Sequence, residues 1–320
     1  MSSGVRVRRS LGSKALRGYG SALLLAALVV LPGVARPGCP GKVAVQVLGS
    51  GGPVADDARA ASGYLLWLDG HARLLVDAGG GVFLRFGEAG ADIADLDAVV
   101  LTHMHTDHAA DLPALLKGGY FSDRTRPLPV LGPGGRAGWP GVDEFLRDLF
   151  APEHGAFRYL AGFLDGSDGL FAVPPTDVDP DSREPVTAFA NARLRVQAVG
   201  VRHGPVPALG LVVEAGGRRI AFSGDQNDDN PQFARLIDQA DILFMDHAIP
   251  QDAGPAARSL HATPRHIGQL AADAGVGRLV LSHLMARSLP RLDESRRLIR
   301  ESFGGPLDVA ADLACYTLSE

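Results

Sequence analysis

The sequence predicts an α/β fold made of two mixed β-sheets with helices on the outside. Two observations carry this. Strand-like and helix-like segments alternate along most of the chain, and short hairpins lie among them, which excludes a purely parallel doubly wound sheet. The length of 320 residues suits one large domain or two small ones, and 46% hydrophobic with 21% charged residues is the balance of a globular enzyme with a sizeable core. No repeat at solenoid periods interrupts the order.

The first 35 residues stand apart. Arg6, Arg8, Arg9, Lys14 and Arg17 precede an apolar run at 21–31, and Pro32, Gly33, Val34 and Ala35 follow. That is the layout of a secretory signal peptide cleaved near Ala35. The apolar run is short for a bilayer span; an uncleaved anchor or a buried helix is the competing reading. Arg8-Arg9-Ser10-Leu11 also resembles a twin-arginine export signal. Residues 1–35 are therefore read as a signal peptide and 36–320 as the mature domain, periplasmic or secreted, with no stable membrane insertion. Its two cysteines, Cys39 and Cys315, could pair in an oxidising compartment. Nothing in the sequence brings the two ends together.

Along the mature chain, 43–48 is a short apolar strand before the turn Gly49-Ser50-Gly51-Gly52. Segments 62–68 and 73–76 form a hairpin around Asp69-Gly70, a strong turn dipeptide. A helix opens at 82–86, and the buried strand 97–101 runs straight into Thr102. Helical spacing returns at 109–117, where Pro113 sits in the first turn, and at 143–150. Segment 151–187, rich in Gly, Pro and Asp, reads as a long loop or lid. Strands follow at 194–199, 209–214 and 219–223, with Gly216-Gly217 turning between the last two. Then come a helix (231–239), a strand (242–245), a helix with Pro264 at its start (263–274), a strand (278–281) and an amphipathic helix (292–303).

The chemistry concentrates at 102–108, Thr-His-Met-His-Thr-Asp-His. Three histidines and an aspartate within six positions, directly after a buried strand, are the donors that suit zinc and its neighbours. His103 and His105 can point at one metal, and Asp107 and His108 at a second. A solvated polar loop is the bland alternative, but a chain with 10 histidines seldom gathers three of them so closely.

This segment, with Ala110-Asp111-Leu112-Pro113 after it, resembles the metallo-β-lactamase superfamily, and most closely the branch holding ribonuclease Z and its arylsulfatase-like relatives. The resemblance runs from about Val43 to Leu289. It implies an αββα sandwich of four layers and two divalent metals, with zinc expected. His203 resembles the third ligand of the first metal. Asp225, in Phe222-Ser223-Gly224-Asp225, resembles the carboxylate that bridges both, and His283 the last ligand of the second. His261, in Leu260-His261-Ala262-Thr263, resembles the family's non-ligand histidine, which serves the leaving group or the oxyanion. Asp246 stands where the family has a glutamate that orients it, so Asp107, His261 and Asp246 form the catalytic set. Asp77 matches a structural aspartate behind the metal loop. His247 replaces a small residue of that pattern.

The substrate is read from what surrounds the site. Removing 1–35, which holds five basic residues and no acid, takes the net charge from -5 to -10. An acidic body is a poor partner for nucleic acid. The resemblance adds that ribonuclease Z carries an extended arm for transfer RNA, and here His203 and Asp225 lie only 22 positions apart. The expectation is therefore a small-molecule ester, an aryl sulfate or a phosphodiester, with no nucleic-acid partner, and a homodimer as one allowed assembly. Phe157, Tyr159 and Phe163 are candidate lid aromatics or simple packing residues. Two alternatives stand beside this: a lactonase or β-lactamase-like carbonyl hydrolase of the same fold, and a non-catalytic metal-binding protein.

Overall fold

A computed structural model describes residues 38–136 and 138–318; the signal peptide expected at 1–35 lies outside them. Strand β1 (Val43–Gly49) shows how the layers arise. Successive side chains point to opposite faces, so Val43, Val45 and Val47 enter one apolar cluster while Ala44 and Leu48 enter another. In β2 (Gly63–Leu68), Tyr64, Leu66 and Leu68 likewise oppose Leu65 and Trp67. A strand covered on both faces needs apolar residues at nearly every position, hence the unbroken apolar runs in the sequence.

The first half continues with β3 (His71–Val76), α1 (Val82–Glu88), β4 (Ala98–Val100), α2 (Thr106–Ala109), α3 (Leu112–Gly119), β5 (Val130–Pro133), α4 (Val142–Phe150) and β6 (Pro175–Val178). The second holds β7 (Val186–Ala190), β8 (Leu194–His203), β9 (Val206–Ala215), β10 (Arg218–Phe222), α5 (Pro231–Leu236), β11 (Ile242–Asp246), α6 (Pro255–Arg258), α7 (Pro264–Asp273), β12 (Leu279–Ser282), α8 (Leu292–Arg300) and β13 (Leu307–Val309). The last strand, β14 (Cys315–Thr317), returns to the first half. Two seven-stranded mixed sheets result, ordered β14-β1-β2-β3-β4-β5-β6 and β13-β12-β11-β10-β9-β8-β7.

Three apolar clusters define the layers. Val45, Leu66 and Leu74 of the first sheet meet Leu211, Phe222 and Phe244 of the second. Phe86, Leu115 and Leu146 bring α1, α3 and α4 onto the outer face of the first sheet. Phe233, Ile267 and Ile299 bring α5, α7 and α8 onto the second. This is the predicted αββα arrangement. No helix among the described residues is long and apolar enough to cross a membrane.

Two local expectations change. The helix expected at 109–117 begins as α3 only at Leu112, after the separate short α2; between them the Asp111 N–H donates to the Ala78 carbonyl at 2.8 Å, and its carboxylate accepts the backbone N–H groups of Gly81 and Phe83 at 2.8 and 2.9 Å. Segment 151–187 is not a free lid. Phe163 is fully buried in the outer cluster, and β6 joins the sheet edge beside β5. Phe157 and Tyr159 line a groove of about 460 Å³ with Phe83 and Phe121, whose walls include no metal-site residue.

Cys39 and Cys315 form a disulfide, with Cα atoms 5.6 Å apart and 276 positions between them in sequence. Pairing of β14 with β1 brings them together: Gln46 of β1 stands opposite Cys315.

Candidate metal centre

The site is assembled at strand ends. Strands β10, β11 and β12 are parallel neighbours, and Asp225, Asp246 and His283 lie at or just beyond their C-terminal ends. Both β8 and β10 run antiparallel to β9 between them, so His203 ends β8 at the same edge. In the first sheet β3 and β4 are parallel, and Asp77 and His103 follow them. The two edges are joined where the Leu209 N–H donates to the Thr102 carbonyl at 2.9 Å. Gly224 permits this approach: its φ is 56°, and a Cβ there would lie 2.6 Å from the Leu209 carbonyl oxygen.

Asp77 organises the metal loop from behind. One oxygen accepts the Thr102 N–H at 2.7 Å; the other accepts the Thr102 hydroxyl at 2.9 Å and stands 2.8 Å from His108 Nδ1. His203 Nδ1 faces the Leu260 carbonyl at 2.9 Å. Asp246 Oδ2 is 2.7 Å from His261 Nδ1, and Oδ1 is 3.4 Å from His283 Nδ1. Such outer contacts choose the imidazole tautomer and leave the other ring nitrogen free to ligate.

The inward-facing atoms gather in three groups: His103, His105 and His203; Asp107, His108, Asp225 and His283, all four buried; and Asp225, Asp246, His261 and His283, also all buried. His203 Nε2 is 3.3 Å from His105 Nδ1 and 3.7 Å from Asp225 Oδ2. His283 Nε2 is 3.0 Å from Asp107 Oδ2 and 3.3 Å from Asp225 Oδ2, and His108 Nε2 is 3.4 Å from Asp225 Oδ1. Donors about 2.0–2.2 Å from one tetrahedral ion stand roughly 3.3–3.5 Å apart, so this spacing fits zinc. His103 Nε2, His108 Nε2 and Asp225 Oδ1 are also buried with no hydrogen-bond partner. Buried polar atoms are ordinarily paired, and three orphans converging in one cluster fit a cation. The clustered His and Asp groups make a divalent-metal site.

Electrostatics agree with that chemistry. Burial pushes His103, His105 and His203 below the ordinary imidazole value, toward the neutral ligating form. It also opposes charge on His108 and His283, but the neighbouring carboxylates win. Asp225 and Asp77 hold His108 well above the usual value, and Asp225 with Asp246 pushes His283 up to about 9. Burial would raise Asp225, yet His283 and His108 keep it well below the carboxylate range. His247 is fully buried and pushed down to about 4 by that burial, with neither ring nitrogen hydrogen-bonded. Its presence leaves the Asp246–His261 contact in place.

All the residues expected from the sequence converge here: His103, His105, Asp107, His108, His203, Asp225 and His283 among the inward donors, with Asp246 and His261 beside them. Others were not foreseen. Asp228 accepts the Thr263 N–H and hydroxyl at 2.8 and 3.0 Å, steadying the start of α7 after His261. Asp312 accepts Ser50 and Ala60 N–H groups and holds the loop beyond β1. The Trp139 ring lies edge-on to His105, with centroids 6.0 Å apart. Single aspartates and a lone tryptophan carry no local pattern that marks them in advance.

A family model described as a beta-lactamase superfamily domain matches residues 72–284, a span that holds every donor named above. The chain belongs to the beta-lactamase superfamily. Among the curated relatives of this superfamily member, ribonuclease Z of Mycobacterium bovis (strain BCG / Pasteur 1173P2) is 31% identical over 284 residues, covering 84% of this chain and 96% of that one. Among solved structures, the metallo-beta-lactamase fold protein YhfI of Bacillus subtilis superposes with a TM-score of 0.66 at 23% identity, over 86% of this chain and all of that one. The short form of human tRNase Z superposes with a TM-score of 0.65 at 20% identity, over 87% and 100%. The fold is thus the metallo-β-lactamase sandwich, and the site that of a metal-dependent hydrolase.

These relatives overturn the expectation of a hydrolase for a small ester, such as an aryl sulfate, with no nucleic-acid partner. Relatives matching along nearly their whole length are ribonucleases. The sequence argument failed for a physical reason: net charge is an average over the surface, whereas a scissile phosphate is met by cations held in the site. A negative body weakens nonspecific attraction without preventing recognition there.

Proposed function

We propose that this chain is a dinuclear zinc ribonuclease that hydrolyses phosphodiester bonds in RNA. The observation that carries the reading is the pair of adjacent donor groups, Asp225 belonging to one and standing 3.7 Å from His203 of the other, in a chain that aligns with almost the full length of ribonuclease Z. His103, His105 and His203 would hold one ion, and Asp107, His108 and His283 the other, with Asp225 between them. Ions bound there would supply Lewis acidity and activate water for attack on phosphorus. The remaining work falls to the chain. With Nδ1 tied to Asp246, His261 has Nε2 left to give a proton to the departing ribose oxygen. Asp246 holds that tautomer and the orientation of the ring. Burial of the donors keeps bulk water from competing for them.

The test is hydrolysis by zinc-loaded protein of a transfer RNA precursor and an unstructured RNA of equal length, with a lactone in parallel. Cleavage of RNA that stops when zinc is chelated is the expected result. Turnover of the lactone alone would assign carbonyl chemistry, and inertness toward all three would return the protein to metal binding without catalysis.

We also propose that the mature domain is exported. The Cys39–Cys315 disulfide supports this, since such bonds persist in oxidising compartments. Fractionation of cells expressing the full chain should find it outside the cytoplasm and shortened by about 35 residues at its N-terminus; a full-length cytoplasmic product would refute it.

A further inference from the structure

We infer that Trp139 is the platform on which a nucleobase next to the scissile phosphate stacks; this rests on RNA as the substrate. The argument begins with access. Of the seven inward donors, six are buried and only His105 is half-buried, so the centre is open on the His105 side. The ring that stands there is Trp139. Its centroid lies 6.0 Å from that of His105, the two planes 66° apart, and Trp139 is itself half-buried.

The segment carrying this indole is built to hold it in place. Arg136 and Trp139 exchange backbone hydrogen bonds, Arg136 N to Trp139 O at 3.1 Å and Trp139 N to Arg136 O at 2.7 Å. The neck closes glycine against glycine: a Cβ on Gly141 would lie 2.5 Å from the Gly135 nitrogen. Below the neck, the Asp143 N–H donates to Asp177 at 3.2 Å, tying α4 to β6. Trp139 thus presents a large π-face beside the metal donors, with its own backbone tied to Arg136 in both directions. It has no role in the apolar clusters of the fold, which hold the other tryptophan, Trp67.

A nucleobase is the ligand that this chemistry suits. Every base has a flat π-face, and stacking on an aromatic side chain tolerates any sequence. Trp139 would therefore fix the nucleotide beside the cleaved bond without dictating its identity, and would act on binding more than on the chemical step.

The test uses zinc-loaded full-length protein with Trp139→Ala and Trp139→Phe, reading KM, kcat and metal content on an RNA substrate. Trp139→Ala should raise KM by roughly 5- to 150-fold with kcat and metal content little changed, and Trp139→Phe should recover most of the loss. Tryptophan fluorescence gives a second reading. A phosphorothioate RNA hexamer should quench the wild type but not Trp139→Phe, because Trp67 is only 2% exposed. An unchanged KM in Trp139→Ala, or a loss confined to kcat and metal content, would overturn the inference and leave Trp139 as a prop for His105. If the wild type cleaves no RNA, the proposed function fails. If the hexamer then also leaves its fluorescence unchanged, the stacking role falls with it.

Discussion

His261 Nδ1 lies 2.7 Å from Asp246 Oδ2, while the other oxygen of the same carboxylate is 3.4 Å from His283 Nδ1. One buried aspartate thus faces both a metal-ligand candidate and the histidine proposed to serve the leaving group. Removing the imidazole of His261 should cost about 10²- to 10⁴-fold in kcat while sparing metal content, the range of a general acid. Asp246→Asn should lower kcat in the same direction, since the amide can turn its NH2 toward Nδ1 and upset the tautomer and orientation that the carboxylate fixes. An unaltered rate in His261→Ala would return that residue to structure.

Asp225 and Asp77 should separate ligation from support. Asp225 belongs to the inward cluster, so Asp225→Ala should lose metal and activity together, read by metal analysis and RNA hydrolysis on the same sample. Asp77 touches no inward atom but holds Thr102 and His108 Nδ1. Asp77→Ala should weaken zinc affinity by about 10- to 100-fold, as outer-contact losses do, and excess zinc should restore much of the rate. Equal, unrecoverable losses in both variants would erase the distinction.

The disulfide should matter to stability and little to the site. Cross-linking positions 276 residues apart restricts the unfolded chain by up to about 5 kcal/mol in the chain-entropy model. Reduction, or paired Cys39→Ser and Cys315→Ser changes, should lower the denaturant midpoint while leaving turnover at low temperature near normal. A midpoint that ignores reductant would show that β14 needs no covalent tie.

A second tie predicts a pH dependence. Arg193 donates to both oxygens of buried Asp97 at 2.8 and 2.6 Å, and Arg126 stands 3.3 Å away. Burial pushes the Asp97 carboxylate up, but Arg193, Asn191 and Arg126 outweigh it and hold it below the ordinary value. A depressed folded-state value means the stabilisation is present above the unfolded value of about 3.9 and is lost as pH falls through the folded one. Arg193→Ala should cost about 1–2 kcal/mol at pH 7, a modest figure because Arg193 is half exposed and Arg126 remains. Urea midpoints of wild type and variant should converge as pH drops below about 4; parallel curves would disprove the linkage.

How much of this was legible in advance varies with the range of the interactions. Residues 102–108 announced a metal site because the donors are neighbours in sequence and follow a buried strand. His203, Asp225 and His283 were legible only as a family pattern; nothing local separates them from ordinary surface or core residues. Short strands such as β5, β6 and β13 escaped notice because three or four residues carry too little periodicity. Phe163 could have been a lid residue or a core residue, and only its packing against Phe150 and Phe171 decides. The small-ester reading went astray by treating whole-chain charge as though it described the cleft.

The sequence by itself determined the alternation of strands and helices, the continuous apolar strands of a doubly covered sheet, and the kind of donor brought to the metal, because each is written in adjacent residues. Only the tertiary structure decided that Asp225 faces both donor groups, that Asp246 reaches two histidines, that Trp139 stands at the open side of His105, and that Cys39 meets Cys315. Those relationships join residues tens to hundreds of positions apart. Their distances are set by sheet order and register, which the packing of three apolar layers fixes for the whole chain at once.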